Sequence, residues 1–258
     1  HSNKMSLRGR RFLDSIKSRF GRYITLPCPP YGLPEYWESA YKSILPEDVI
    51  EWSDIDLQND LLEYQYKGTK NEGNEKVTTT FAEAIRLSPK DTEKSVMILG
   101  CGYSKLGEDM MSNGWQKIIQ VDIVPKVISD ISKRCDPKIQ LVKDDATSLS
   151  KFETSSIDAI VDKGLLDSLF IAEERKQMHA IMESAHRVLK PMGTFAVLSL
   201  SEPQYLLQTL INSNIRGSNA QQLIPLDTQA LDSTFLYRFQ KPETVFDKTK
   251  SNKSKSRR

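Results

Sequence analysis

Apolar positions in this chain cluster into short runs separated by longer stretches of mixed polarity. Residues 95–99 read S-V-M-I-L, 118–122 read I-I-Q-V-D, and 139–142 read I-Q-L-V. Residues 157–161 then read I-D-A-I-V, and 194–200 read T-F-A-V-L-S-L. Runs of this length, bounded by glycine, proline or aspartate, predict strands buried on both faces. A different period governs 171–190, where Met178, Ile181, Met182, Ala185 and Leu189 recur at helical spacing. That stripe predicts a helix packed on the sheet, ending near Lys190 ahead of a Pro191–Gly193 turn. Residues 235–239 complete the pattern as the last strand. Strands alternating with helices imply a parallel, doubly wound α/β sheet.

The punctuation after the first strands carries the candidate chemistry. Gly100 and Gly102 flank Cys101 immediately after the first run, and Asp122 closes the second. Glycine belongs where backbone turns sharply and approaches a ligand. A carboxylate on the tip of the next strand accepts hydrogen bonds from the hydroxyls of a ribose. A dinucleotide fingerprint requires a third glycine three positions after Gly102, where this chain has Lys105, and no phosphate loop is present. A ligand with ribose and adenine but no phosphate needs no third glycine, and S-adenosylmethionine is one. Asp145, beside Asp144 at the third strand end, is placed to accept the adenine amine, and Ala146 leaves room for the ring. Asp162, Lys163 and Gly164 follow the fourth strand, at the carboxyl ends where open α/β sheets bind ligands. Asp162 is the candidate for orienting an acceptor or assisting its proton loss; its alternative roles are a contact to the methionine moiety or a bond across the turn. Lys163 and Asp167 are read as a local pair.

Taken together, L-G-C-G-Y-S, V-D-I, D-D-A, V-D-K-G-L-L-D and R-V-L-K-P-M-G resemble a class I, seven-strand S-adenosylmethionine-dependent methyltransferase. Y-W-E-S-A-Y at 36–41, E-W at 51–52 and D-K-G-L-L-D are similar more narrowly to the methyltransferase-like 13 family, whose members methylate lysines or the N-terminal amine of elongation factor 1A. The resemblance covers roughly 36–240. It implies a Rossmann-like seven-strand sheet, mostly parallel with the last strand antiparallel and helices on both faces. It also implies that Trp37, Trp52, Gly100, Cys101, Gly102, Ser104, Asp122, Ile123, Asp145, Ala146, Asp162 and Lys163 bind the cofactor. Tyr103 and Leu165 depart from the family pattern, where a small polar residue and a threonine are usual; neither removes a cofactor contact, and what they put in question is the substrate. A methyltransferase acting on RNA or a small molecule, and a non-catalytic module on the same fold, are the competing readings.

Charge sharpens this picture. Residues 1–26 carry seven Lys/Arg against one acid, and 241–258 carry seven against two. The body between them has 22 basic and 31 acidic residues, a net of −9. An acidic body repels phosphates, disfavouring nucleic acid as the substrate, and suits a basic protein partner. Three cysteines without C-x-x-C spacing point to a reducing compartment and away from zinc. His179 and His186 have no third metal ligand near them in sequence, and no segment is long enough to span a membrane.

The chain divides into a basic extension over 1–34, a helical lid over 35–78, a catalytic domain over 79–240 and a basic tail over 241–258. The amphipathic pattern of 7–23 fits either a docking helix or a mitochondrial transit peptide, so the expected location is the cytoplasm, with the mitochondrial matrix as alternative. Residues 36–66 have helical character interrupted at Pro46, 68–76 read as a linker, and 82–87 as a helix.

Overall fold

A computed structural model describes residues 28–52, 62–66, 75–79, 85–212, 223–231 and 234–243. Its centre is a seven-stranded sheet of β3 (Ser95–Leu99), β4 (Lys117–Asp122), β5 (Gln140–Lys143), β6 (Ile157–Lys163), β7 (Leu189–Ser199), β8 (Ile224–Leu231) and β9 (Thr234–Gln240). The spatial order is β5-β4-β3-β6-β7-β9-β8. Neighbouring strands are parallel from β5 through β7, and β9 runs antiparallel to both β7 and β8. The order reverses between β3 and β6, which opens a crevice at the strand carboxyl ends.

Alternation along each strand divides the core into two layers. Val96, Ile98, Ala159, Val161, Ala196 and Leu198 face one side, where Leu106 and Met110 of α2 (Leu106–Ser112) and Val127 and Ile131 of α3 (Pro125–Ile131) cover them. Met97, Leu99, Ile160, Phe195 and Val197 face the other. There they meet α4 (Leu165–Ile171), α5 (Arg175–Val188) and α6 (Pro203–Asn212). Met178, Ile181, Met182 and Ala185 form the buried stripe of α5, as their spacing predicts. Each such side chain removed from water contributes roughly 1.5–3 kcal/mol, which explains why so many consecutive strand positions are apolar.

Local structure differs from the sequence reading in five places. Among the described residues of 36–66, the helical character expected there is found in α1 (Pro34–Tyr41) alone. Leu62–Tyr66 is a strand, β1, paired antiparallel with β2 (Glu75–Thr79), so Glu75 and Lys76 belong to a strand rather than a linker. The alternating L-E-Y-Q-Y and the β-branched V-T-T favour that state. The helix expected over 171–190 starts only at Arg175, because Ile171 closes α4, Glu173 adopts φ 62° and the Glu174 N–H turns back to the Leu169 carbonyl at 2.9 Å. The Pro191–Gly193 turn sits inside β7 as a bulge: Leu189 pairs with Ile157 and Thr194 with Ala159, leaving four residues outside the ladder. Gly193 is required there, since a Cβ would lie 2.8 Å from the Lys190 carbonyl oxygen and 2.9 Å from that of Asp158. Finally, β8 is a strand that the apolar pattern did not mark, because Ile224 and Leu226 alternate with polar residues on an exposed edge. The features read at 7–23, at 82–84 and in the tail beyond 243 lie outside the described residues.

Candidate active site

The crevice holds a cavity of about 790 Å³, within the size range of small-molecule sites. Its floor is the turn after β3. Gly100 and Gly102 have φ of 56° and 49°, a left-handed conformation that strains other residues. A Cβ on Gly100 would approach Leu165 to 3.0 Å, and one on Gly102 would approach the Tyr41 hydroxyl to 3.1 Å. The Cys101 N–H donates to the Val121 carbonyl at 3.1 Å and ties the turn to β4. Burial pushes the Cys101 thiol well up, keeping it protonated and a poor nucleophile.

Asp122, at the end of β4, locks the turn from the other side. Its Oδ2 accepts the Gly102 N–H and its Oδ1 the Val124 N–H, both at 2.9 Å. Burial raises its pKa, and those backbone donors pull it back. Each oxygen keeps a lone pair for a further donor, which is the requirement for gripping vicinal hydroxyls. Asp145 follows β5; its Oδ1 accepts from the Thr147 N–H and Oγ1. The Ala146 carbonyl accepts from Ser184 of α5, holding this loop against the helix at 2.5 Å. Gly102, Ser104, Asp122, Ile123, Asp145 and Ala146 all line the cavity.

A strap of chain, residues 28–52, closes the remaining wall. Helix α1 lays Trp37 and Tyr41, one turn apart, along the cavity. The Tyr41 ring meets that of Tyr103 at 5.2 Å, and burial beside Asp122 raises its phenol pKa well above normal. Trp52 lies against Gly164, where a Cβ would sit 2.4 Å from the indole and φ is 107°. Its Nε1–H donates to Asp167 at 2.8 Å. Asp167 also accepts from Ser199, Ser201 and the Leu200 N–H.

Glu51 joins the strap to both sides of the crevice. Its carboxylate accepts from the Ser104 hydroxyl, from the Lys105 N–H at 2.8 Å and from Lys163 Nζ at 2.7 Å. The local pair expected between Lys163 and Asp167 is therefore not formed: Lys163 turns to Glu51, and Asp167 turns to Trp52 and the end of β7. Glu51 and Tyr41 stand within the motifs of the sequence, which by itself assigns neither a role. The i, i+4 spacing of Trp37 and Tyr41 was the available signal for one; no local signal marks the other.

Asp162 is the candidate that the fold keeps off the cavity wall. It is fully buried, and its two oxygens accept the N–H groups of Gly164 and Leu166, both at 3.1 Å. Burial, with Asp167 nearby, pushes its carboxyl up to about 8. Tyr103, which departs from the family pattern, has its side chain buried in the core, its hydroxyl donating to Asp130 at 2.7 Å. Among the described residues no three His, Cys, Asp or Glu side chains are grouped as metal ligands, and no helix is long and apolar enough to cross a membrane.

The donor set discriminates between nucleoside ligands. A dinucleotide would place its pyrophosphate at the start of α2, yet the Glu51 carboxylate already takes the Lys105 N–H and the Ser104 hydroxyl there, and a second anion beside it is repelled. Adenosine bearing an uncharged or cationic substituent meets no such conflict. The residues present therefore fit S-adenosylmethionine: Asp122 for the ribose, the Asp145–Ala146 loop for adenine, and the glycine turn for close approach.

Comparison with known proteins agrees. Residues 97–197 match the family described as methyltransferase domain. The chain is 32% identical over 124 residues to the eEF1A lysine and N-terminal methyltransferase of Homo sapiens, an overlap of 45% of this chain and 17% of that protein. The Mus musculus protein of the same description is 26% identical over 182 residues, covering 68% and 22%. The EEF1A lysine methyltransferase 4 of Bos taurus is 25% identical over 187 residues, covering 68% and 64%. The chain thus spans about a fifth of the length of the first two relatives.

Proposed function

We propose that this chain, which carries an S-adenosylmethionine-dependent methyltransferase domain, methylates a lysine or N-terminal amine of a basic protein, with elongation factor 1A as the acceptor. The observation that carries the reading is the pairing of Asp122 with a glycine turn whose phosphate-binding position is filled by Glu51. The named relatives and the acidic body, with its net charge of −9 over 27–240, support a basic protein acceptor.

When bound, S-adenosylmethionine supplies an electrophilic methyl group on a sulfonium, open to in-line displacement. The chain's own contribution is position, which in favourable intramolecular cases accounts for roughly 7–11 kcal/mol of barrier. Asp122 fixes the ribose through two oxygens already oriented by backbone donors. Gly100 and Gly102 let the backbone approach without a Cβ in the way. Asp162 acts as a positioning residue, holding the Gly164 turn that seats Trp52. A lysine amine with pKa about 10.4 must lose its proton to react. A partly desolvated acceptor channel favours the neutral form. Three cysteines without C-x-x-C spacing, together with this acceptor, support a cytoplasmic location; a carboxyl-terminal fluorescent reporter distinguishes that from the mitochondrial matrix.

Thermal stabilisation by S-adenosylmethionine and S-adenosylhomocysteine, with NAD as control, tests the cofactor half. Asp122→Ala should weaken donor affinity by about 100-fold, the loss of hydrogen bonds to a charged group at roughly 1.5–3 kcal/mol each. Unchanged affinity in that variant would discard the ribose assignment. Labelled methyl transferred to recombinant elongation factor 1A supports the acceptor; label entering only RNA or metabolites overturns it.

A further inference from the structure

Two walls of the cavity belong to different segments, and one basic side chain ties them together. The strap 28–52 lays Tyr31, Tyr36, Trp37 and Trp52 along one end, while the glycine turn, Asp122 and Asp145 line the other. Arg134 follows α3 and stands behind the turn rather than in the cavity lining. Its Nη1 donates to the Asp48 carbonyl of the strap at 2.6 Å. Its Nη2 donates to the Tyr103 and Ser104 carbonyls of the turn at 3.1 and 3.2 Å, and its Nε forms an ion pair with Glu108 of α2 at 2.8 Å. The Tyr103 carbonyl also accepts the Ile50 N–H at 3.2 Å, so strap and turn meet at the point the guanidinium covers. A second tie runs beside the first. Lys126 of α3 donates to the Ile44 carbonyl at 2.8 Å and pairs with Asp130, which also accepts the Tyr103 hydroxyl. Tyr103, where the family pattern has a small polar residue, thus bridges the Tyr41 ring of the strap to α3.

We infer that Arg134 is a positioning residue for the nucleoside donor: it fixes the strap against the glycine turn and so holds the two walls of the cavity at the spacing the donor requires. This role rests on the cofactor reading of the cavity and not on the acceptor. A guanidinium suits the task, because its planar fork serves several acceptors at once in fixed geometry, which an ammonium cannot do. The bonds are charge-assisted and shielded from water, the side chain being only 13% exposed. Without the guanidinium, the Asp48 carbonyl loses its tie to the turn, and Glu51 and Trp52, which follow it in the chain, are seated only part of the time. Donor affinity scales with the fraction of molecules in the competent state. Arg134 therefore acts on donor binding without touching the ligand.

Calorimetric titration of the full chain with S-adenosylhomocysteine, alongside hydrogen exchange of the Ile50 amide, tests this role. In Arg134→Met, a strap seated about a tenth of the time raises the dissociation constant about tenfold. Exchange at Ile50 should accelerate while β3 and β6 keep their protection. Arg134→Lys, which keeps a charge able to reach one carbonyl, should regain about threefold of the lost affinity. Lys126→Met removes the parallel tie at a side chain 37% exposed, where the fold is not at risk, and should weaken binding about threefold. A merely structural Arg134 would lower the melting temperature of the unliganded chain and leave the dissociation constant as in the parent, and that result would overturn the inference. Ile50 exchange unchanged in Arg134→Met would overturn it as well. Should Arg134→Met fail to fold, Lys126→Met decides, and donor affinity equal to the parent's then counts against the clamp. Absence of S-adenosylhomocysteine binding in the parent would instead sink the cofactor reading, with Ile50 exchange in Arg134→Met still reporting on whether the strap is tied.

Discussion

The polar end of the cavity is assembled from neighbours in sequence order, and the aromatic end from residues far apart. Gly102 and Asp122 are 20 positions apart and meet through one strand–helix–strand unit. Trp52 and Asp167 are 115 apart, and Glu51 and Lys163 are 112 apart. A nucleoside cradle can therefore be inherited as a compact motif. The aromatic wall depends on a strap that reaches the crevice from outside the sheet. Strap substitutions should therefore disturb the cavity wall and leave the core intact, and cradle substitutions should disturb the turn after β3.

The largest effect that tests this division is expected at Gly164, where the two ends meet. Gly164→Ala combines a φ of 107° with a Cβ 2.4 Å from the Trp52 ring. Such strain costs on the order of 3 kcal/mol, so the melting temperature should fall by about 6–12 °C. Tryptophan emission should shift with it. A fall of less than about 2 °C, with emission unchanged, would show that Trp52 seats elsewhere. Glu51→Gln comes next. It leaves the Lys163 ammonium, its side chain only 8% exposed, without its counter-ion, at a cost of about 2 kcal/mol. Hydrogen exchange should accelerate at 48–52 while β3 and β6 keep their protection. Equal acceleration in all of them would mean that the strap and core open as one unit.

A smaller effect comes from Asp162. Its folded pKa of about 8 exceeds the ordinary value of about 3.9. The folded chain thus keeps a proton that the unfolded chain releases above about pH 4. Stability falls as pH rises from there to about 8, then levels off. Asp162→Asn removes this titration. The melting temperature of the variant minus that of the parent should therefore be about 3 °C or more higher at pH 8.5 than at pH 5. A difference independent of pH would mean that Asp162 is already ionised in the folded protein.

The positions of the candidates explain which were legible. Gly100, Gly102, Asp122, Asp145 and Ala146 could be marked because each follows a recognisable apolar run, and their spacing reflects the geometry of a single βαβ unit. Lys163 was marked by its strand end, but its partner was misassigned. A run of sequence supplies Asp167 nearby and gives no sign that Glu51 approaches from another segment. Asp162 illustrates the opposite case: its position at the strand end was legible, while its orientation depended on whether the following turn supplied N–H donors. Helix α5 begins later than the apolar pattern implies because the left-handed Glu173 has no compositional mark.

By itself, then, the sequence determined the alternation of buried strands and helices, the glycine turn, and the carboxylates at the strand tips. These follow from local periodicity and from short-range backbone constraints. Only the tertiary structure decided that Glu51 occupies the helix start, that Asp162 turns inward, and that four aromatic rings share one end of the cavity. Each of those depends on which distant segments pack together, and packing satisfies buried charges and ring faces with partners that no local pattern names.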